Sequence, residues 1–314
     1  MSDTTGGQAI ADRLTERIDI LLPANLQPMI VLEDLDVESI LAQRMARLKE
    51  LWASYDPPMA AQYDVEMLEF DPIKINQECC AYFELLLRDR VNQAARSVTL
   101  AYAIGTDLDA IGSRYPGGVP RLEGEGDERY RRRIWLSPNT LSPHGTAEAY
   151  EYWALTAFPE LRDVTAIRKV QHDYYPTILI TCLMNTNYDD PRPPQEALLR
   201  IRSYIGSLSR QGLTDVISVN PPKVKEIEYR LNVWLYPGTA QNPTVDKIVL
   251  NIANLINDQY WLGHDHSHTA IHAACAIQGV HHAEIVEPEK DVSVPLDWVV
   301  KVKTITVNIA GRAL

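Results

Sequence analysis

The sequence predicts an α+β protein: a long-helix stem at the N-terminus, followed by two small α+β modules. Three observations carry this. Apolar residues step by threes and fours over residues 37–52 and again over 75–102. From about residue 160 onward, short alternating runs sit between helical stretches. Proline and glycine clusters at 116–120 and 220–222 then divide the chain. At 314 residues, two or three domains are expected, and the divisions fall at 1–112, 113–222 and 223–314.

The stem comes first. Asp36 is placed to cap a helix carrying Val37, Ile40, Leu41, Met45, Leu48, Leu51 and Trp52, which Tyr55-Asp56-Pro57-Pro58 breaks. Pro72, following Asp71, suits the first turn of a second helix running to about Ala103. Its apolar positions are Ile75, Cys79, Phe83, Leu86, Leu87, Val91, Ala94, Val98 and Tyr102. About 30 residues at ~1.5 Å each make a rod of about 45 Å, with more side than one small domain covers. Small residues crowd its second half (Ala94, Ala95, Ser97, Ala101, Ala103), which permits close approach of other helices in an intermolecular bundle. An intramolecular hairpin with the first helix is compatible with that bundle. Gly105 ends the rod, and a short helix follows near Asp107–Ile111.

In the middle module, Asp127 caps a helix through Trp135, and Gly145-Thr146 introduces another from Ala147 to Ala157. Strands are expected at Val164–Val170 and Thr177–Leu183, joined by a turn at Asp173–Pro176. A helix over Gln195–Leu208 and a strand over Thr214–Val219 complete it, and Asn220-Pro221-Pro222 marks the boundary. The last module reads as strand Glu226–Tyr236, helices Thr244–Tyr260 and Thr269–Ala276, then strands Val280–Val286 and Val299–Ile309. In the last strand Ile305, Val307 and Ile309 alternate with Thr304, Thr306 and Asn308, the pattern of a half-buried strand.

Composition excludes several functions. A net charge of −12, from 42 acidic and 30 basic residues, opposes nucleic-acid binding unless a basic face is segregated. The strongest basic run, Arg129–Arg133, lies among Glu123, Glu125, Asp127 and Glu128, so it reads as a helix face with salt-bridge partners. Cys79, Cys80, Cys182 and Cys275 form no Cys-x-x-Cys pair and are expected as buried free thiols of a reducing compartment. No apolar run reaches the ~18 residues of a membrane span, and the first residues lack the apolar segment of a signal peptide, so folding in cytoplasm is expected.

Catalytic motifs are sparse. Six of the eight histidines lie between His264 and His282, and His264, His266 and His268 would share one face of an extended strand. That makes the three the candidate metal ligands. No His-Glu-x-x-His occurs, Asp265 would point the other way, and Ser267 and Thr269 look like helix-capping residues. A polar loop or subunit contact, sensitive to pH near 6, is the fuller account. Gly124-Glu125-Gly126-Asp127 has neither a third glycine nor a lysine, and its carboxylates repel phosphate. No Gly-x-Ser-x-Gly is present. No catalytic residue and no cofactor is therefore assigned. Tyrosine is abundant (15, against 3 phenylalanines), with clusters at Tyr150–Trp153 and Tyr174-Tyr175 of the kind that suit interfaces.

The long helix carries Glu84-Leu-Leu-Leu-Arg-Asp-Arg-Val-Asn-Gln-Ala-Ala-Arg96 and continues through Leu100-Ala-Tyr-Ala-Ile-Gly-Thr-Asp-Leu-Asp109. With Ile20-Leu-Leu-Pro23, Asp127-Glu-Arg-Tyr-Arg-Arg-Arg-Ile134, Gly145-Thr-Ala-Glu-Ala-Tyr-Glu-Tyr152, Tyr236-Pro-Gly238, Leu262-Gly263 and Gly279-Val280, the chain resembles the phage baseplate J family of contractile-tail wedge proteins from about residue 20 to 310. It departs from the family in a short segment after Asp109 and in the histidine-rich 264–268 stretch.

The resemblance implies a virion structural subunit, assembled in host cytoplasm. Two copies would pack with a smaller related wedge protein through a helical bundle, with a sheath-initiator protein and neighbouring wedges around the hub as further partners. No nucleic acid and no membrane enter this picture. Phe83, Leu87, Arg88, Arg90, Val91, Asn92, Ala95 and Arg96 would form the bundle interface, the polar ones fixing register. Two other classes remain open: a metal-dependent hydrolase using the His264–His282 cluster, and a tail receptor- or glycan-binding module.

Overall fold

A computed structural model describes residues 32–62, 70–142, 145–170, 176–185, 190–207, 210–212 and 215–312. The Ile20–Pro23 motif, most of the Asp173–Pro176 turn, Leu208 and Thr214 lie outside those residues. The chain divides into two compact units, one ending at Ile111 and the other running on from Gly112.

The first unit is helical: α1 (Val37–Tyr55), α2 (Pro57–Gln62) and α3 (Pro72–Ser97), with α4 (Gly105–Arg114) at its end. Asp36 caps α1 by accepting from the Glu38 and Ser39 amides. Asp71 does the same for α3 through Ile73 and Lys74, and Pro72 occupies the first turn, where no amide hydrogen is missed. α1 packs along α3 as a hairpin. α3 stops at Ser97, short of the expected Ala103. There the Ser97 hydroxyl bonds to Ala94 O, the Thr99 hydroxyl to Ala95 O and the Thr99 amide to Arg96 O, a local pattern that competes with the helical ladder. Its 26 residues make a rod of about 39 Å.

Among the described residues, the second unit holds two three-stranded sheets. α5 (Asp127–Leu136) and a 3-10 turn (Ser137–Leu141) lead to α6 (Ala147–Ala157), whose cap is Thr146. Gly126, not Asp127, caps α5; the Asp127 carboxylate is 2.7 Å from Arg121. β1 (Leu161–Val170) pairs antiparallel with β2 (Pro176–Met184). α7 (Gln195–Ile205) then returns the chain to β3 (Val216–Asn220), parallel to β2. Tyr150, Trp153 and Ala154 of α6 pack with Val164, Ile180, Cys182 and Ile201 in this module's core.

The other face of the same sheet is buried too. Thr165, Thr181, Asp163 and Leu183 are all under 3% exposed, and Leu183 packs on Leu262 and Val299 of the following module. Only Pro221 and Pro222 separate β3 from β4 (Lys223–Leu235), the central strand of the second sheet. β5 (Val280–Glu287) pairs antiparallel on one side and β6 (Trp298–Arg312) parallel on the other. α8 (Gln241–Asp258) and α9 (His268–Cys275) supply Ile248, Ile252, Ile271 and Cys275 against Tyr229, Leu231, Val233 and Leu235. The α+β class expected from the sequence is the class observed.

Candidate functional site

Helix α3 meets α1 through polar groups set around the fully buried Ala81, with Ile40 buried on α1. Arg44 of α1 donates to Gln77 at 3.2 Å and to Glu84 at 2.8 Å. Arg88 reaches Glu33 at 2.8 Å and Glu84 at 2.7 Å. Asn92, almost wholly buried, donates to Glu33 O at 2.9 Å and accepts from Glu33 N at 3.1 Å. The hydrogen bonds from Arg44 and then Arg88 hold the Glu84 carboxyl below its ordinary range.

The apolar stripe faces away. Ile75, Tyr82, Phe83, Leu86, Leu87 and Val91 are 44–69% exposed, and Tyr82 meets Phe83 edge-on at 6.1 Å between ring centroids. Scattered surface apolar residues are ordinary, but a continuous stripe along several helical turns is the mark of an association surface. Cys79 lies on it and Cys80 is half-buried, so the expectation of buried thiols holds only for Cys182 and Cys275. Neither Cys79 nor Cys80 is inside, although the neighbouring Ala81 is fully buried.

A second concentration of chemistry surrounds α5. The Glu125 side chain is fully buried and takes Arg133 in a two-pronged pair at 2.8 and 2.9 Å. Arg129 also bonds to Glu125, and it closes the end of α6 by donating to the carbonyls of Leu155 and Phe158. Burial pulls the Arg129 guanidinium down to about 10 despite Glu125. Arg132 stands 2.5 Å from Asp163, whose second oxygen accepts from the Leu262 amide at 2.9 Å. The basic run is thus a structural clamp, turned inward.

Of the three candidate histidines, His264 and His266 approach with ring centroids 6.1 Å apart, but His268 does not join them. Only His266 lies in a bridge, exchanging backbone hydrogen bonds with Val292 at 2.9 and 3.0 Å. Its ring is buried with Nδ1 3.1 Å from the Tyr229 hydroxyl, and burial, then His264, lowers it to about 4. Asp265 accepts from Val294 N and Ser293 Oγ, and His268 N donates to Asp291. The segment after β5 is therefore pinned along residues 291–294. His268 begins α9 behind its cap, Ser267, so the shared face expected of His264, His266 and His268 does not form. Among the described residues, no group of three or more histidine, cysteine or carboxylate side chains is gathered to hold a metal. Nor is any helix among them long and apolar enough to cross a membrane.

Baseplate protein J of Escherichia phage P2 is 30% identical to this chain over 275 residues, spanning 83% of this chain and 88% of that protein. The chain belongs to the baseplate J family. The Baseplate J-like N-terminal domain matches residues 69–123, which contain α3 and α4. A chain of the six-fold symmetrised cryo-EM structure of the anti-feeding prophage baseplate aligns with a TM-score of 0.37 at 15% identity, covering 60% of this chain and 43% of that one. As a baseplate J family member, the chain is a structural protein of the phage tail baseplate.

Among the interface residues named for this baseplate J protein, the fold separates two groups. Phe83, Leu87 and Val91 stand on the open stripe, Arg90 and Arg96 are exposed, and Ala95 is half-buried. Arg88 and Asn92 instead serve the chain's own Glu33, because the polar seam of the hairpin runs along their side. The Glu125–Arg133 and Arg132–Asp163 pairs were not anticipated as pairs. Their one sequence signal is the spacing of Glu125 four residues before Arg129 and eight before Arg133.

Proposed function

We propose that this chain is a wedge subunit that links wedges into a ring around the hub of a contractile phage tail or related injection machine. The observation that carries it is the exposed apolar stripe Ile75–Val91 on a helix whose own hairpin seam combines Gln77, Glu84 and Asn92 with the buried Ala81. Burying about 1.5–3 kcal/mol of transfer energy per large side chain favours helices from other chains on that stripe. A second copy and a smaller related wedge protein supply them, with a sheath-initiator protein beside them. Residues 1–112 form the stem, 113–222 a middle module and 223–314 the ring-forming module. The chain does no catalysis of its own, and assembly takes place in host cytoplasm.

The test is co-expression with the neighbouring tail proteins, followed by mass measurement of the purified complex. A complex with more than one copy of this chain is expected, and Leu87→Glu with Phe83→Glu should disperse it. A wild-type chain that stays monomeric beside those proteins overturns the reading.

A further inference from the structure

One rim of the C-terminal sheet has a central run without charge or proline, between charged ends. Native sheets blunt their edges with charge, proline, bulges or brevity, because an open edge offers a row of unpaired amides and carbonyls. Among the described strands, three of the four sheet edges follow that rule along their whole length. β1 carries Arg162, Asp163, Arg168 and Lys169 and a register break near Leu161. β3 has five residues and runs directly into Pro221-Pro222. β5 pairs through two register breaks and bears His281, His282, Glu284 and Glu287.

β6 differs. Between breaks in its register at Lys303 and Ala310, Thr304–Ile309 runs regularly against Glu228–Val233 of β4. That run, Thr-Ile-Thr-Val-Asn-Ile, has no charge, proline or glycine and is rich in β-branched residues, the composition that pairs edge to edge most readily. No strand among the described residues lies on its far side. The core is also unfinished there. Leu231 and Val233 of β4 are fully buried, whereas Ile305, Val307 and Ile309, facing the same core, are only half-buried.

We propose that Thr304–Ile309 pairs antiparallel with the same run of a second copy, fusing two three-stranded C-terminal sheets into one of six. The run is self-complementary. A two-fold centred on Thr306 sets Thr304 opposite Asn308 on the exposed face and Ile305 opposite Val307 on the core face. Opposite residues of an antiparallel pair share a face, so both helical layers remain on one side. Lys303 then lies opposite Ile309 and Lys301 opposite Gly311, so no like charges meet. This occupant rests on the reading of the chain as a multi-copy assembly subunit, and it names the surface by which the C-terminal modules join.

The experiment uses the full chain with Cys79→Ser and Cys80→Ser, leaving the buried Cys182 and Cys275 in place. Opposite residues of an antiparallel pair lie about 4.5–5.5 Å apart at Cα, within disulfide reach. Under mild oxidation Thr306→Cys should give about tenfold more cross-linked dimer than the exposed β5 control His282→Cys, because disulfide formation depends on access and proximity. Thr304→Cys mixed with Asn308→Cys should cross-link, while neither does so alone. Thr306→Lys and Thr306→Glu chains should each lose the association and regain it when mixed, which a merely unfolded variant would not do. Cross-linking no greater than the control, in a chain that still oligomerises through its stem, overturns the edge pairing and leaves the wedge reading intact. A Thr306→Cys cross-link that forms while the chain ignores its neighbouring tail proteins sinks the stem reading alone.

Discussion

Asp163 on β1 holds Arg132 on α5 at 2.5 Å with one oxygen and the Leu262 amide at 2.9 Å with the other. One carboxylate thereby joins three separate parts of the chain: the helix before the first sheet, that sheet, and the loop leading to α9. The Val164 amide also bonds the first oxygen, and the Thr165 hydroxyl reaches Leu296 O nearby. This set of contacts makes the two α+β modules one body.

Replacing Asp163 with alanine should therefore destabilise far more than a surface change. It takes the nearest carboxylate from a largely buried guanidinium, leaving that group Val164 O and Glu151 at 3.9 Å, and it strands the Leu262 amide; removal of one partner of such a pair costs about 3–5 kcal/mol. In a unit of this size the melting temperature should fall by about 10 °C. Thermal unfolding followed by circular dichroism checks it, and a shift within ~2 °C would refute the rivet.

The Glu125–Arg133 pair makes a different kind of test. Both side chains are essentially inaccessible. Glu125→Leu strands both Arg133 and Arg129 and should cost several kcal/mol, on the order of 3–5, whereas Arg133→Met leaves Glu125 its Arg129 partner and should cost less. The double replacement should recover only the part of the Glu125→Leu loss that is due to Arg133, because Arg129 still lacks its carboxylate. A double-mutant cycle by denaturant unfolding reads the coupling directly, and additive losses would contradict it.

Local signals in the sequence were legible because their physics is local. Asp36, Asp71-Pro72 and Thr146 cap the helices they were expected to introduce or begin, since capping needs only neighbouring amides. The helical stripe on α3 was visible as periodicity, yet periodicity does not say which side meets the chain's own hairpin partner. That depended on Arg44 and Glu33, which lie more than 30 residues away along the chain. The run Arg129–Arg133 read as a helix face with salt-bridge partners among the nearby acids; Glu125 is such a partner, but Asp163, the partner of Arg132, sits on a later strand. The alternation His264-His266-His268 suggested a strand, but Ser267 capped a helix first and took His268 out of line.

His266 should make stability fall on mild acidification. Burial, and then His264, holds its folded pKa at about 4 against an ordinary 6.5. Between those values the unfolded chain binds the proton and the folded chain does not, so stability is complete above pH ~6.5 and declines towards pH ~4. The loss attributable to this residue is on the order of 2–3 kcal/mol. His266→Gln should flatten that part of the pH–stability curve. An unchanged slope in urea titrations at several pH values would remove His266 from the account.

Two substitutions on one helix separate packing from association. Asn92→Ala removes both hydrogen bonds to the Glu33 backbone from a buried position, at a cost of about 1–2 kcal/mol to the isolated chain. Leu87, 69% exposed, buries little in the chain itself, so Leu87→Ser should alter folding stability by less than about 0.5 kcal/mol. Its effect belongs to contacts with other chains: sedimentation should show less self-association for Leu87→Ser than for the wild type at equal concentration. Asn92→Ala should show the reverse pattern, weaker folding with the apolar stripe intact. If Leu87→Ser instead unfolds the chain as severely as Asn92→Ala, the stripe is part of the chain's own core and the case for a partner helix on it fails.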